Sequence, residues 1–77
     1  MENRIMYQVP SSSVLIRRKQ VEALTSLSRS RIYALINEGT FPKPVRLGAQ
    51  SVAWSLAEIE AWVSQRIAAS KETDPVS

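Results

Sequence analysis

Two prolines separated by a single residue, Pro42 and Pro44, restrict how this chain of 77 residues can fold. Proline has no backbone N–H, and it disfavours helical geometry at the residue before it. Residues 42–44 must therefore be extended. Gly39 stands just before them and suits the left-handed residue that ends a helix. The sequence thus predicts that helical structure ends near Gly39 and that an extended segment follows.

Two short helices are predicted before this point. Val21 and Leu24 have helical spacing, which predicts a first helix at about 18–25. Ser28 can then cap a second helix over 29–38, because its hydroxyl can accept a hydrogen bond from an amide of the first turn. The apolar face of the second helix consists of Ile32, Leu35 and Ile36. Two helices joined by three or four residues are typical of a helix-turn-helix.

After the prolines the periodicity changes from helix to strand. Apolar residues alternate with others in 45–47 and 52–54, on either side of Gly48, which predicts a β-hairpin. A short apolar run at 14–16 predicts a further strand. We expect one face of the hairpin to be apolar and Arg46 to point away from it. The expected apolar face consists of Val45, Leu47, Val52 and Trp54.

A third helix is predicted after Ser55, because Ser55 and Glu58 have the spacing of a capping box. The expected fold class is α+β, mostly α: a small winged helix-turn-helix with three helices and a two-stranded β-hairpin wing. Residues 14–69 form this domain, after a flexible N-terminal arm at 1–13 and before a disordered C-terminal tail at 70–77. The expected core consists of Val21, Leu24, Leu27, Ile32, Leu35, Ile36, Phe41, Val45, Leu47, Val52, Trp54, Ile59, Trp62 and Val63.

Positive charge is concentrated in the middle of the chain. From Arg17 to Gln50 there are seven bases and two acids, a net charge of +5, whereas the remaining residues sum to −2. Arg29 and Arg31 stand at the start of the second helix, where the helix dipole favours anions. A basic segment inside a folded domain indicates a polyanionic partner, and the alternative is a basic surface that is simply solvated. A phosphate group at the helix start would offset both the dipole and the arginines.

We therefore expect the second helix to enter the major groove of double-stranded DNA, with the hairpin as a wing beside it. An arginine can bind guanine or phosphate with two hydrogen bonds, and the methyl group of Ala34 can contact a thymine methyl. For Tyr33 the alternative role is packing against Phe41. The candidate DNA-binding residues are Ser28, Arg29, Ser30, Arg31, Tyr33, Ala34 and Asn37 in the recognition helix; Lys43, Arg46, Gln50 and Ser51 in the wing; and Arg17, Arg18 and Lys19 as phosphate contacts at the first helix.

The composition argues against several other classes of protein. The chain has no histidine and no cysteine, which removes the commonest general base and thiolate metal ligands. Glu58 and Glu60 are two residues apart on a helix and do not share a face. We therefore expect no enzymatic activity, metal, cofactor or small-molecule ligand.

With no apolar run of membrane-spanning length and no signal-peptide core in 1–13, a cytoplasmic location is expected.

The segments "LSRSRIY", "FPKPVRLG", "SVAW" and "SLAEIEAWV" together resemble the AlpA family of prophage regulators and excisionases, over roughly residues 16–63. The resemblance implies a winged-helix fold related to the DNA-binding domain of MerR-type regulators. It also implies a bacterial, nucleoid-associated protein that binds specific sites in prophage or genomic-island DNA. Such a protein acts as an excisionase (a recombination directionality factor), as a transcriptional regulator of the integrase gene, or as both. Members of the family usually carry glycine where Ser26 stands.

A module of this size is expected to need several copies on adjacent DNA repeats, and an integrase is a further candidate partner. The alternative function is a protein–protein interaction module that uses a repurposed winged helix, with incidental charge. The two hypotheses differ in salt dependence, because release of counterions makes DNA binding fall steeply with salt.

Overall fold

Three helices and three short strands make up residues 13–73, the part of the chain that the computed structural model describes. In chain order they are β1 (Leu15–Ile16), α1 (Arg18–Thr25), α2 (Arg29–Glu38), β2 (Val45–Arg46), β3 (Val52–Ser55) and α3 (Leu56–Thr73). The predicted α+β, mostly helical class is confirmed, as are the predicted bounds of α1 and α2. Except for Ser13, the predicted N-terminal arm lies outside the described residues, as does 74–77 of the predicted tail.

The turn between α1 and α2 depends on an unusual backbone conformation at Ser26. Its φ is 63°, in the left-handed region, and its N–H donates to the carbonyl of Glu22 at 2.8 Å, which ends α1. Glycine adopts this conformation without the Cβ clash that other L-residues incur. Two residues later Ser28 caps α2, its hydroxyl accepting from the Arg31 N–H at 3.1 Å.

The end of α2 is fixed by backbone and side-chain hydrogen bonds. Gly39 has a φ of 81°, and its N–H donates to the carbonyl of Ile36 at 3.0 Å. Beyond it, the indole N–H of Trp62 donates to the Thr40 carbonyl at 2.7 Å. The indole N–H of Trp54 donates to the Pro42 carbonyl at 3.1 Å. Two tryptophans from later elements therefore hold the segment that leads from α2 to the wing.

The strands form one antiparallel sheet in the order β1-β3-β2. The predicted hairpin of β2 and β3 is present, and β1 adds a third strand to it. Residues opposite one another in an antiparallel pair lie on the same face of the sheet. Ile16 is opposite Trp54, and Arg46 is opposite Val52, so these four residues share the face that contains buried Trp54.

This register makes the predicted apolar face of the hairpin wrong. Val45 is opposite Ala53, on the face away from Trp54, and Arg46 lies on the Trp54 face instead. A shift of one residue in strand pairing exchanges the two faces, and the pairing depends on the geometry of the loop at 47–51. Val45 and Leu47 are accordingly exposed, rather than part of the core.

The core forms where the three helices meet the Trp54 face of the sheet. Its buried members are Ile16, Val21, Ile32, Leu35, Phe41, Trp54 and Ile59, and Ala53 is buried as well. Of the remaining predicted members, Leu27, Ile36, Val52, Trp62 and Val63 are partly buried at its edge. Leu24 is a further wrong prediction, being 47% exposed. Ile16 and Ala53 were not expected in the core.

Helix α3 follows β3 without a loop. The N–H of Glu58 donates to the Ser55 hydroxyl at 3.3 Å, one half of the predicted capping box. The Leu56 N–H donates to the Val14 carbonyl at 2.9 Å, which joins the start of α3 to the chain before β1. The helix continues through Thr73, beyond residue 69, where the sequence predicted the domain to end.

The left-handed residues give a paired test of the two helix ends. Ser26→Gly should raise the free energy of unfolding by about 0.5–1 kcal/mol, because it removes the Cβ clash while loosening the unfolded chain. Gly39→Ala should lower it by about 1 kcal/mol or more, since a Cβ there meets no atom within 4 Å and adds only backbone strain. Urea unfolding measures both, and a Ser26→Gly protein no more stable than the parent would contradict the assigned turn geometry.

The two tryptophans should differ in their importance for stability. Trp54 is fully buried, so Trp54→Phe should cost about 2–4 kcal/mol through a cavity and an unpaired Pro42 carbonyl. Trp62→Phe should cost about 1–2 kcal/mol, because water can reach the Thr40 carbonyl once the indole is gone. Thermal unfolding gives the order of the two losses, and the reverse order would show that the core is centred elsewhere.

Candidate nucleic-acid interface

The exposed side of α2 carries every residue that the sequence assigned to the recognition helix. Ser28, Arg29, Ser30, Arg31, Tyr33, Ala34 and Asn37 are all exposed. On the opposite side Ile32 and Leu35 are buried in the core. The buried apolar face holds α2 against the core, and the candidate DNA-binding residues lie on the side that faces solvent.

The helical repeat of 100° per residue arranges this surface into a midline and two flanks. Ser30 and Ala34, with Asn37 one turn further, form the midline opposite the core. Tyr33 lies on one flank and Arg31 on the other. The predicted alternative for Tyr33 is wrong: its ring meets Trp54 edge-on at a centroid distance of 6.3 Å, whereas Phe41 contacts Trp62.

The start of α2 carries two guanidinium groups that form no ion pair within residues 13–73. The first turn of α2 contains no acidic residue. The one ion pair among the described residues joins Arg18 to Glu22 and leaves Arg29 and Arg31 outside it. The unpaired amides of a helix start carry partial positive charge, which adds to that of the two guanidinium groups. An anion at this helix end is the arrangement that would balance the charge.

The wing presents two exposed bases and a closed tip. Arg46 donates through Nη1 to the Ala49 carbonyl at 3.2 Å, across the turn. The Ser51 carbonyl accepts from the Leu47 N–H at 2.7 Å, which closes the loop. Lys43 and Gln50 are exposed, whereas Ser51 is half-buried. The remaining N–H donors of the Arg46 guanidinium group are available to a ligand, and the bond to Ala49 restrains the position of the group.

The three bases at the first helix have different surroundings. Arg17 donates through Nη1 to the Val52 carbonyl at 3.3 Å and so connects the start of α1 to the wing. Arg18 is paired with Glu22. Lys19 is exposed and has no ion-pair partner among the described residues. Two of the three predicted phosphate contacts therefore also make internal contacts.

A surface depression, which we term the wing-side depression, brings the three predicted sets together. It is lined by Arg17, Arg18, Lys19, Tyr33, Gln50 and Val52. The start of α1, the Tyr33 flank of α2 and the tip of the wing are thus neighbours in space. Arg17 and Gln50 line the same depression although 33 positions of the chain separate them. We term the bases of α1, α2 and the wing together the basic surface.

A second depression borders the Arg31 flank, between α2 and α3, and we term it the α3-side depression. Arg31, Glu38, Trp62, Gln65 and Arg66 are among its lining residues. Arg66 was missed by the sequence analysis, which considered only the bases from Arg17 to Arg46. The available signal was the spacing of Trp62 and Arg66, since residues four apart on a helix are neighbours.

Other kinds of site receive no support in the described part of the chain. Residues 13–73 contain no group of three or more acidic, His or Cys side chains arranged to hold a metal ion. None of the helices described has the length and hydropathy needed to cross a bilayer.

The fold and the basic surface define a small winged helix-turn-helix domain. Residues 14–67 match the family described as "Prophage CP4-57 regulatory protein (AlpA)". The chain is 48% identical over 56 residues to "Uncharacterized protein ORF88" of Enterobacteria phage P4, which covers 73% of this chain and 64% of the phage protein. It is 40% identical over 58 residues to "DNA-binding transcriptional activator AlpA" of Escherichia coli (strain K12), which covers 68% of this chain and 83% of that protein.

The chain therefore belongs to the AlpA family of prophage regulatory proteins. The predicted family is confirmed. The chain spans slightly less than two thirds of the length of the phage relative.

Proposed function

We propose that the chain binds specific sites in double-stranded DNA, with α2 in the major groove and the wing over the neighbouring backbone. The observation that carries this proposal is the start of α2. Its two exposed arginines and free amides face solvent with no acidic residue in the first turn. In a helix-turn-helix this end of the second helix approaches bases and phosphates.

The dimensions of α2 suit the groove. A helix with its side chains is about 10–12 Å across, and the major groove of B-DNA is about 12 Å wide. The midline of α2 has short side chains at Ser30 and Ala34, which allow the backbone to approach base edges closely. Arg29 and Arg31 can each reach a guanine or a phosphate with two hydrogen bonds.

The wing and α1 supply contacts that orient the protein rather than select a sequence. Lys43 and Arg46, with Gln50 and Ser51 beside the tip, are proposed to contact the backbone next to α2. Lys19 is the most available phosphate contact at α1. Arg17 and Arg18 contribute the guanidinium donors that remain after their bonds to Val52 and Glu22. Contacts to phosphate fix register on the duplex without reading the sequence.

The relatives support a regulatory role. A curated relative is a DNA-binding transcriptional activator, and the family consists of prophage regulatory proteins. We infer that this chain regulates a prophage or genomic island in the bacterial cytoplasm, at the nucleoid. It acts as an excisionase, as a regulator of the integrase gene, or as both, without catalysis of its own. Several protomers on repeated sites would add affinity, and an integrase is a candidate protein partner.

Substitution of the α2 arginines separates sequence recognition from general affinity. A target site is first selected from a random duplex library, and binding to it and to a scrambled duplex is then measured by fluorescence anisotropy. Arg29→Ala or Arg31→Ala should reduce discrimination between the two duplexes by about 1–3 kcal/mol if that arginine reads a base. Lys43→Ala should weaken binding to both duplexes alike. Unchanged discrimination in both arginine variants would contradict the recognition-helix assignment.

The salt dependence of the unaltered protein tests the alternative function. A few phosphate contacts should give a negative log–log slope of affinity against salt, with a magnitude of roughly 3–6, because each contact releases counterions. A flat response, or no binding to any duplex at low salt, would favour the protein–protein interaction module.

A further inference from the structure

The α3-side depression extends the basic surface beyond the recognition helix and the wing. Arg66 lies there with its Cζ atom 4.7 Å from the centroid of the Trp62 ring. A guanidinium group stacked on an aromatic face keeps its N–H donors, which radiate in its plane, available for another partner. Arg66 is exposed, and no ion pair to it is found among the described residues.

The support beneath Arg66 is rigid. The Trp62 indole N–H donates to the Thr40 carbonyl at 2.7 Å, and the ring contacts buried Phe41 edge-on at a centroid distance of 4.8 Å. The ring on which Arg66 stacks is therefore held in place relative to α2. The stacking favours guanidinium positions beside this flank of α2, and a side chain that is partly ordered in advance loses less conformational entropy on binding.

The two depressions lie on opposite flanks of α2. Tyr33 lines the wing-side depression, and Arg31, on the other side of the midline, lines the α3-side depression. A helix that fills the major groove has a phosphodiester backbone along each flank, and the two backbones belong to different strands. One strand would face Lys19 and the wing, and the other would face Arg31 and Arg66.

We propose that Arg66 binds a backbone phosphate of the DNA strand on the α3 side, so that α2 is held by backbone contacts on both strands. This inference rests on the proposed function, and it adds a contact from α3 to those of α1, α2 and the wing. Glu38 lines the same depression and opposes the phosphate, so its removal should strengthen the contact.

Lys71 provides a matched control for the test, because it is an exposed base on the same helix outside the lining of the depression. Arg66→Ala should weaken binding to the selected and scrambled duplexes by a similar factor, roughly fivefold to tenfold. It should also reduce the magnitude of the slope of log affinity against log salt by about 0.9, the value for one phosphate contact. Lys71→Ala should leave the salt slope unchanged, and Glu38→Gln should raise affinity. Thermal unfolding of each variant separates loss of the contact from loss of structure.

The strand assignment is tested with duplexes that carry single neutral methylphosphonate groups. In the unaltered protein, neutralising a contacted phosphate weakens binding. For the phosphate that Arg66 contacts, the Arg66→Ala protein should bind the neutralised and the normal duplex equally well. For the phosphate that Lys19 contacts, the Lys19→Ala protein should do the same. These two phosphates should lie on different strands. Loss of the penalty on the same strand in both variants, or equal slopes for Arg66→Ala and Lys71→Ala, would overturn the proposal. If the unaltered protein bound no duplex, the proposed function itself would fail instead.

Discussion

Two indole N–H groups hold the chain as it leaves α2, and the placement of the wing relative to α2 depends on them. Trp62 of α3 and Trp54 of β3 donate to the carbonyls of Thr40 and Pro42. Pro42 and Pro44 cannot donate backbone hydrogen bonds, so this segment has few other means of attachment. Trp54 is also fully buried in the core and lies opposite Ile16 in the sheet, so one residue joins the core, the sheet and the segment that leads to the wing.

A bound anion would balance the positive charge of the basic surface. Arg29 and Arg31 oppose the dipole of α2, and no acidic residue in its first turn compensates for them. Stability alone would favour acidic residues there. Phosphate groups on a duplex would balance the charge of the start of α2, the wing and α1 together, since residues of α1, α2 and the wing line one depression. The same reasoning extends to Arg66, which the fold places on the remaining flank of α2.

Local signals in the sequence were sufficient for the helices but not for the sheet. Ser28 and Gly39 act within one turn of the helix they end, and the bounds of α2 match the prediction. The two faces of the hairpin were assigned wrongly, because strand register depends on loop geometry and on pairing with a distant strand. For the same reason the burial of Ile16 and Ala53 could not be predicted from the sequence. The candidate residues on α2 could be predicted, because helical spacing alone places them on one side of the helix. Arg66 could not, because it lies on α3 and comes near Arg31 only when α3 packs beside α2.

The central claim is that the exposed side of α2 and the tip of the wing meet the duplex. Amide chemical shifts of the 15N-labelled protein, followed while a selected duplex is added, test it residue by residue. The largest changes are expected at 28–37 and around Gln50, with small changes where α1 meets α3, near Leu24 and Val63. Large changes confined to the α1–α3 surface, with the amides of α2 unaffected, would contradict this placement of the duplex.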